Sequence, residues 1–115
     1  MGKENNSIIG RSGEEKAIKY LKKNRYKILE TNYKNVIGEI DIICRKRKTI
    51  IFVEVKSRAD DYFGRPSEAV GVSKQNKIRN VAMSYLKYKK KTDSLIRFDV
   101  VEVIDDIINH IENCF

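Results

Sequence analysis

Three acidic residues and one lysine lie at positions where the surrounding pattern calls for apolar side chains. Glu14 lies on the same helical stripe as Ala17, Ile18 and Leu21. Asp41, Glu54 and Lys56 interrupt two runs of isoleucine, valine and phenylalanine that are typical of buried strands. Carboxylates beside a lysine can bind a divalent cation, orient water and stabilise negative charge on a phosphate. These residues therefore predict a phosphate-directed hydrolytic site.

Alternation along the second run indicates which side chains share a face. In a strand, residues two apart point the same way and lie about 6.6–6.8 Å apart. Glu54 and Lys56 are therefore neighbours on one face, while Val53 and Val55 point into the core. If the two runs pair as a hairpin, Asp41 faces Glu54 across the ladder. Glu39 shares the face of Asp41, and we interpret it as a more peripheral or solvent-exposed group.

Two adjacent carboxylates in a partly buried setting raise each other's proton affinity, and burial without a partner is costly. A divalent cation bound between them removes both costs. Hard oxygen ligands favour Mg²⁺ or Mn²⁺. The Glu-x-Lys spacing by itself is weak, because it also occurs at Glu14-Glu15-Lys16; only the second occurrence, at Glu54, lies on an apolar strand.

These motifs resemble the YraN-like family of uncharacterised bacterial proteins over nearly the whole chain, from about Ile9 to Phe115. That family is similar to the restriction-endonuclease-like PD-(D/E)xK superfamily, and to Holliday-junction resolvases in particular. Ile40 stands where the superfamily name has proline, a position that varies. The segments that carry the resemblance are Gly13-Glu14, GEIDII over 38–43, FVEVKSR over 52–58, Lys74, 82–86 and 97–101.

The resemblance implies a Mg²⁺-dependent nuclease core in which each of the singled-out residues has a role. Asp41 and Glu54 would hold the metal with the Val55 carbonyl, and Glu14 would add a carboxylate directly or through water. Lys56 would handle the attacking water. Each residue also has a structural alternative: Glu14 as a helix-surface residue, Asp41 as a strand-edge residue, and Glu54 with Lys56 as a surface ion pair worth about 0–1 kcal/mol.

The remaining sequence predicts the elements that position this site. Ser73 is a candidate N-cap for the second helix, and residues 105–115 are expected to form a short turn or helix. The order α-β-β-β-α-β predicts an α/β fold with a restriction-endonuclease-like core, a mixed four-stranded sheet flanked by helices. The predicted elements are helix 7–23, strands 26–34, 37–45 and 49–57, a mobile loop over 58–72, helix 73–89 and strand 95–104.

Length and composition bound the function. The chain of 115 residues predicts a single domain over 1–115, with 1–6 as a disordered tail. Two distant cysteines and one histidine disfavour a zinc site, a disulfide framework or a Ser/His/Asp triad. We find no apolar run long enough to span a bilayer and no signal-peptide core, so we expect a soluble, cytoplasmic protein without a membrane partner.

Charge favours nucleic acid as the partner. The chain has 24 Lys and Arg against 16 Asp and Glu, and 74–91 holds seven basic residues and no acidic one. Tyr62 and Phe63 interleave with Arg65, a pattern that suits base stacking, although a disordered loop or solvated surface would carry the same residues. The predicted nucleic-acid-binding residues are Arg45, Lys46, Arg47, Lys48, Arg58, Arg65, Lys74, Gln75 and Lys77.

Two functions from different classes follow. The first is a metal-dependent endonuclease that hydrolyses DNA phosphodiesters, with branched or single-stranded DNA in repair or recombination as the substrate. Resolving a four-way junction needs two symmetric cuts and so a homodimer. The second is a catalytically silent nucleic-acid-binding module of a larger DNA-processing assembly. RNA as the nucleic acid is not excluded by any residue.

Overall fold

The computed structural model describes the backbone of residues 2–58 and 70–115, and the side chains of 12–57 and 70–115. Tyr62, Phe63 and Arg65 and most of the predicted 58–72 loop lie outside the described residues, as does the side chain of Arg58. The described elements are α1 (Gly2–Lys23), β1 (Lys27–Lys34), β2 (Glu39–Lys46), β3 (Thr49–Arg58), α2 (Val72–Tyr88), β4 (Leu95–Ile104) and β5 (Ile107–Ile111).

The strands form one mixed sheet in the order β1-β2-β3-β4-β5. Neighbouring strands are antiparallel except β3 and β4, which pair in parallel with α2 connecting them. The predicted α/β class, the β2–β3 hairpin and the parallel final crossover are therefore confirmed. The predicted four-strand count is wrong, because residues after Asp106 form the fifth strand by pairing with β4 instead of a turn or helix.

Each face of the sheet carries a separate apolar cluster. On one face, Ala17 and Leu21 of α1 pack on Val53 and Val101. On the other, Val81 and Tyr85 of α2 pack on Phe52 and Val100 with the rest of the second cluster. Alternation along β3 follows from this arrangement, since Ile51 and Val53 face α1 while Ile50 and Phe52 face α2. Within the described residues, neither helix is long and apolar enough to cross a membrane.

Both helices begin before their predicted starts. α1 starts at Gly2 rather than Ser7, so the helix takes in the segment expected to be a tail. α2 starts at Val72 with Gly71 as its N-cap, at φ −64° and ψ 160°, and no side chain caps it. The predicted Ser73 cap is wrong because the helical turn has already begun at that residue.

α1 approaches β3 closely at Gly13. A Cβ atom at this position would overlap Ser57 Oγ and would lie 3.2 Å from Ser57 Cβ. The Ser57 hydroxyl is buried and is the one buried side-chain polar atom of the described residues without a hydrogen-bond partner. Glycine is thus required for α1 to pack against the carboxyl-terminal end of β3.

A buried carboxylate ties β4 to the C-terminal segment. Asp99 is fully buried and accepts hydrogen bonds from the Arg97 guanidinium and from the Asn113 amide; its Oδ2 lies 2.7 Å from His110 Nε2. Burial alone would raise the pKa of Asp99, but the bonds to His110, Arg97 and Asn113 outweigh it and lower that pKa. The negative charge of Asp99 is therefore compensated by these partners on the α1 side of the sheet.

Candidate metal and nucleic-acid site

The site begins where β2 and β3 stop pairing. Their ladder runs from Lys46–Thr49 to Ile42–Val53 and ends there. The alternation of side chains between the two faces of the sheet is interrupted in β2 at this point. Ile40 and Ile43 both pack in the cluster on the α2 side, while Ile42 packs in the cluster on the α1 side. Strict alternation would place Ile40 with Ile42, so Asp41 lies at an irregularity between them.

Asp41 takes over a hydrogen bond at this break in the ladder. Its Oδ2 accepts the Val55 N–H at 2.8 Å. Because the amide and carbonyl of one strand residue point toward the same neighbouring strand, the Val55 carbonyl also faces the β2 side. The carboxylate and that carbonyl thus lie at the same gap between the strands, as the proposed ligand set requires.

The Asp41 carboxyl is unusually hard to ionise. Burial and, after it, the charges of Glu54 and Glu14 together raise its pKa from 3.8 to about 7, against the opposing effects of the Val55 hydrogen bond and the charge of Lys74. The three acidic residues singled out in the sequence are thus close enough to act on one another.

Glu54 is buried, with 5% of its surface exposed, and two lysines approach it. Lys74 Nζ lies 2.6 Å from Glu54 Oε1, and Lys56 Nζ lies 3.7 Å from the same oxygen. The predicted shared face of Glu54 and Lys56 is confirmed by this contact. Burial alone would lower the pKa of Lys74, but the hydrogen bond and charge of Glu54 outweigh it and raise that pKa.

A shallow pocket of about 160 Å³ opens beside these residues. Its size is enough for several water molecules or a phosphate group but not for a large cofactor. Gly38 brings the β1–β2 turn close to α2, since a Cβ there would contact Val81. The lining residues are Gly38, Glu39, Asp41, Glu54, Lys74, Lys77 and Ile78.

Glu14 lies beside the site rather than in the pocket lining. It is partly buried on α1, one residue from the contact between Gly13 and Ser57. Its effect on the Asp41 pKa shows electrostatic proximity. This position suits a carboxylate that acts through water better than one that lines the pocket.

The structure divides the predicted nucleic-acid-binding residues into two groups. Lys74 and Lys77 line the pocket, while Gln75 donates its side-chain amide to the Val70 carbonyl and so holds the segment before α2. The β2–β3 turn over 45–48 lies at the opposite end of the hairpin. Thr49 is five residues before Glu54, which places the turn about 17 Å from the site along β3. Residues 45–48 therefore do not line the pocket.

Two features were missed by sequence reasoning. The Lys74–Glu54 ion pair joins residues on different elements, and no local pattern signals it. Glu102 is buried, is the register partner of Lys56 across the parallel β3–β4 pair, and accepts a hydrogen bond from Asn109. Its signal was available, since Glu102 interrupts the valine run of β4 just as Glu54 interrupts that of β3.

Asp41, Glu54 and the Val55 carbonyl are the donors that a metal would find here. Among the described residues, no group of three or more acidic, histidine or cysteine side chains forms a metal-binding cluster. Mg²⁺ is commonly held by one or two carboxylates, with waters and substrate phosphates completing the shell. Two converging carboxylates, one with its pKa raised by the other's charge, fit that requirement.

The matching family model is an uncharacterised protein family, UPF0102, over residues 13–103, which include Glu14, Asp41, Glu54 and Lys56. The chain belongs to the UPF0102 family. The expected YraN-like membership is thereby confirmed. A UPF0102 protein of Clostridium beijerinckii is 48% identical over 98% of this chain and 97% of its own length. UPF0102 proteins of Caldicellulosiruptor saccharolyticus and Geobacter metallireducens are 44% and 42% identical, each over 96% of this chain and 99% and 93% of their own lengths.

Proposed function

We propose that this UPF0102 protein is a metal-dependent endonuclease that hydrolyses phosphodiester bonds in DNA. The observation that supports it is the convergence of Asp41 and Glu54 at the point where β2 and β3 separate, with Lys56 beside Glu54. A fold gains no stability from crowding carboxylates in this way, since each raises the cost of ionising the other. A site that binds a cation and a phosphate gives the arrangement a use.

Asp41, Glu54 and the Val55 carbonyl would hold Mg²⁺ or Mn²⁺, with Glu14 contributing through water. When bound, the metal would supply positive charge against the phosphate and lower the pKa of water. The Val55 amide orients the Asp41 carboxylate toward the gap between the strands. Glu54 is fixed by burial and by its lysine contacts, so both ligands are held before substrate arrives.

Lys56 and Lys74 would act on the phosphate. In hydrolysis a water oxygen bonds to phosphorus and the water gives up a proton to solvent. The bond to one ester oxygen breaks, that oxygen takes up a proton, and negative charge builds on the non-bridging oxygens in between. Lys56, held beside Glu54, would orient the water and stabilise that charge. Lys74, whose ammonium group lies at the pocket beside Glu54, would pair with the phosphate.

The test is a cleavage assay on labelled single-stranded, duplex, flap and four-way-junction DNA with Mg²⁺, Mn²⁺ or EDTA. The comparison is between Asp41→Asn and the matched control Asp106→Asn, whose side chain is 95% exposed. Metal-dependent cutting by the native chain and the control, but not by Asp41→Asn, is the expected result. No cutting of any DNA by the native chain under these conditions would contradict the proposal.

A second candidate is a nucleic-acid-binding module that does not cut. The 2.6 Å ion pair between Lys74 and Glu54 favours it, because the lysine already neutralises one of the two carboxylates without a metal. This candidate predicts that Mg²⁺ fails to bind even when Lys74 is removed. Isothermal titration of Mg²⁺ into Lys74→Gln separates the two, since the nuclease proposal expects binding at least as tight as in the native chain.

A further inference from the structure

Half of the basic residues of the chain lie at the end of the sheet opposite the candidate site. Three connections meet there, from α1 to β1, from β2 to β3, and from α2 to β4. The segments 22–27, 45–48 and 87–94 hold 12 of the 24 Lys and Arg residues but only one of the 16 Asp and Glu residues. We call these three segments the basic end.

Strand pairing brings the three segments together. Lys27 is the register partner of Arg45, and Thr49, just after the β2–β3 turn, is the partner of Leu95, just after the α2–β4 connection. Lys46 Nζ lies 4.6 Å from the centre of the Tyr26 ring, which joins the first two segments directly. The three segments are distant in sequence, so this concentration of charge is a property of the fold.

The charge at this end is available to a partner. Eleven of its 12 basic residues are exposed, and Lys46 is partly buried. Lys89 lies 3.8 Å from Glu30 of β1, a surface pair that leaves most of the charge uncompensated. The rest of the chain carries 12 basic and 15 acidic residues, so the positive net charge of the chain comes from the basic end.

We infer that the basic end is a second phosphate-binding surface, which holds the same nucleic acid about 17–20 Å from the point of cleavage. This inference rests on the proposed function for its choice of nucleic acid as partner. Two elements give the distance independently: about 17 Å along β3 from Thr49 to Glu54, and about 20 Å along α2 from Lys74 to Lys87. A continuous polyanion can reach both surfaces, whereas a small phosphate ligand cannot.

The arrangement assigns affinity and chemistry to different ends of the molecule. At the candidate site, Lys56 and Lys74 are already paired with Glu54, so the exposed basic end supplies most of the metal-independent binding. At 3.4 Å per base pair, the separation corresponds to about five or six base pairs. A duplex shorter than this cannot contact both ends at once.

The experiment measures binding in EDTA, where cleavage plays no part. Fluorescence anisotropy with a labelled duplex of about 20 base pairs is recorded over a range of NaCl concentrations for the whole 115-residue chain. The test variant is Lys48→Gln with Lys91→Gln. The matched control is Lys19→Gln with Lys34→Gln, two exposed lysines outside the basic end. Circular dichroism checks that each variant is folded.

The test variant is expected to lower the slope of log K against log salt by about one to two, at roughly 0.9 per lost phosphate contact, while the control keeps the native slope. The native chain is expected to bind duplexes of about four base pairs much more weakly than those of about eight. Equal slope changes in both variants, or no dependence on duplex length across this range, would overturn the inference. The inference would also be overturned if the test variant lost binding to anionic phospholipid vesicles but kept native binding to DNA. If the native chain cuts no DNA in the separate assay with Mg²⁺ but the salt slopes change as expected, the result counts against the nuclease and not against the basic end.

Discussion

Replacing Asp41 with asparagine separates the electrostatic cost of the site from its role. Asparagine keeps an oxygen that can accept the Val55 N–H, so the substitution removes the charge and retains the hydrogen bond. The native carboxyl has its pKa raised to about 7 from 3.8, and the folded protein therefore binds more protons at this group than the unfolded chain does. Its contribution to stability must fall as the pH rises between these two values.

The size of the effect follows from linkage. One pKa unit corresponds to about 1.4 kcal/mol, so ionised Asp41 destabilises the metal-free fold by up to about 4 kcal/mol above pH 7. Between pH 5 and pH 8 this one group removes roughly 2–3 kcal/mol of stability, by the same relation. Asp41→Asn should lack that loss. We expect it to exceed the native protein in stability at pH 8 and to differ from it less at pH 5.

Urea denaturation at pH 5 and pH 8, in EDTA and in Mg²⁺, measures this directly. At pH 8, Mg²⁺ should raise the free energy of unfolding of the native protein by about 2.7 kcal/mol at a hundred times its dissociation constant. It should leave the free energy of unfolding of Asp41→Asn unchanged. Asp106→Asn controls for the loss of an exposed carboxylate. If Asp41→Asn and the native protein lose stability in parallel between the two pH values, Asp41 titrates as an ordinary carboxyl and the reasoning about a strained acidic site is wrong.

Three further substitutions test other parts of the structure. Lys74→Gln should raise the Asp41 pKa above its native value, because the charge of Lys74 lowers it; a carboxyl titration by NMR that finds no rise would contradict the 2.6 Å ion pair as an electrostatic element of the site. Gly13→Ala should destabilise the fold by about 1–3 kcal/mol in thermal or urea unfolding, since the new methyl meets Ser57 Oγ. Adding Ser57→Ala should recover part of that loss, and no recovery would place the cost elsewhere. Asp99→Asn should cost about 3–5 kcal/mol by urea unfolding, because the partly buried Arg97 guanidinium loses its counter-charge; a cost below about 1 kcal/mol would show that the network is not needed for stability.

Local patterns were sufficient to predict the elements that carry the site. The long apolar runs of β2 and β3 and the intervening basic turn gave the hairpin, and period-two alternation placed Glu54 beside Lys56. The strand Leu95–Ile104 has the predicted bounds, because its apolar, valine-rich run lies between the end of α2 and the turn at Asp105 and Asp106. These features depend on interactions within a few residues or across one ladder.

Features that depend on tertiary contacts could not be read in this way. β5 has five residues after an Asp-Asp turn, and only its pairing with β4 makes it a strand. The contact of Lys74 with Glu54 depends on where α2 starts relative to β3. The hairpin already implied that the turn 45–48 lies away from the site, since a turn five residues from Glu54 is at the far end of the strands. Net charge alone does not indicate at which end of the sheet a basic residue lies.

The Val55 amide offers a direct spectroscopic view of the site. Its proton is donated to a side-chain carboxylate instead of a backbone carbonyl, and that carboxylate is the one whose pKa is raised to about 7. In a ¹⁵N-labelled sample, the Val55 resonance should therefore shift with the protonation of Asp41 and again when a cation binds. A single backbone signal would then follow ionisation and metal loading in the intact protein, with no substrate, no substitution and no knowledge of the reaction.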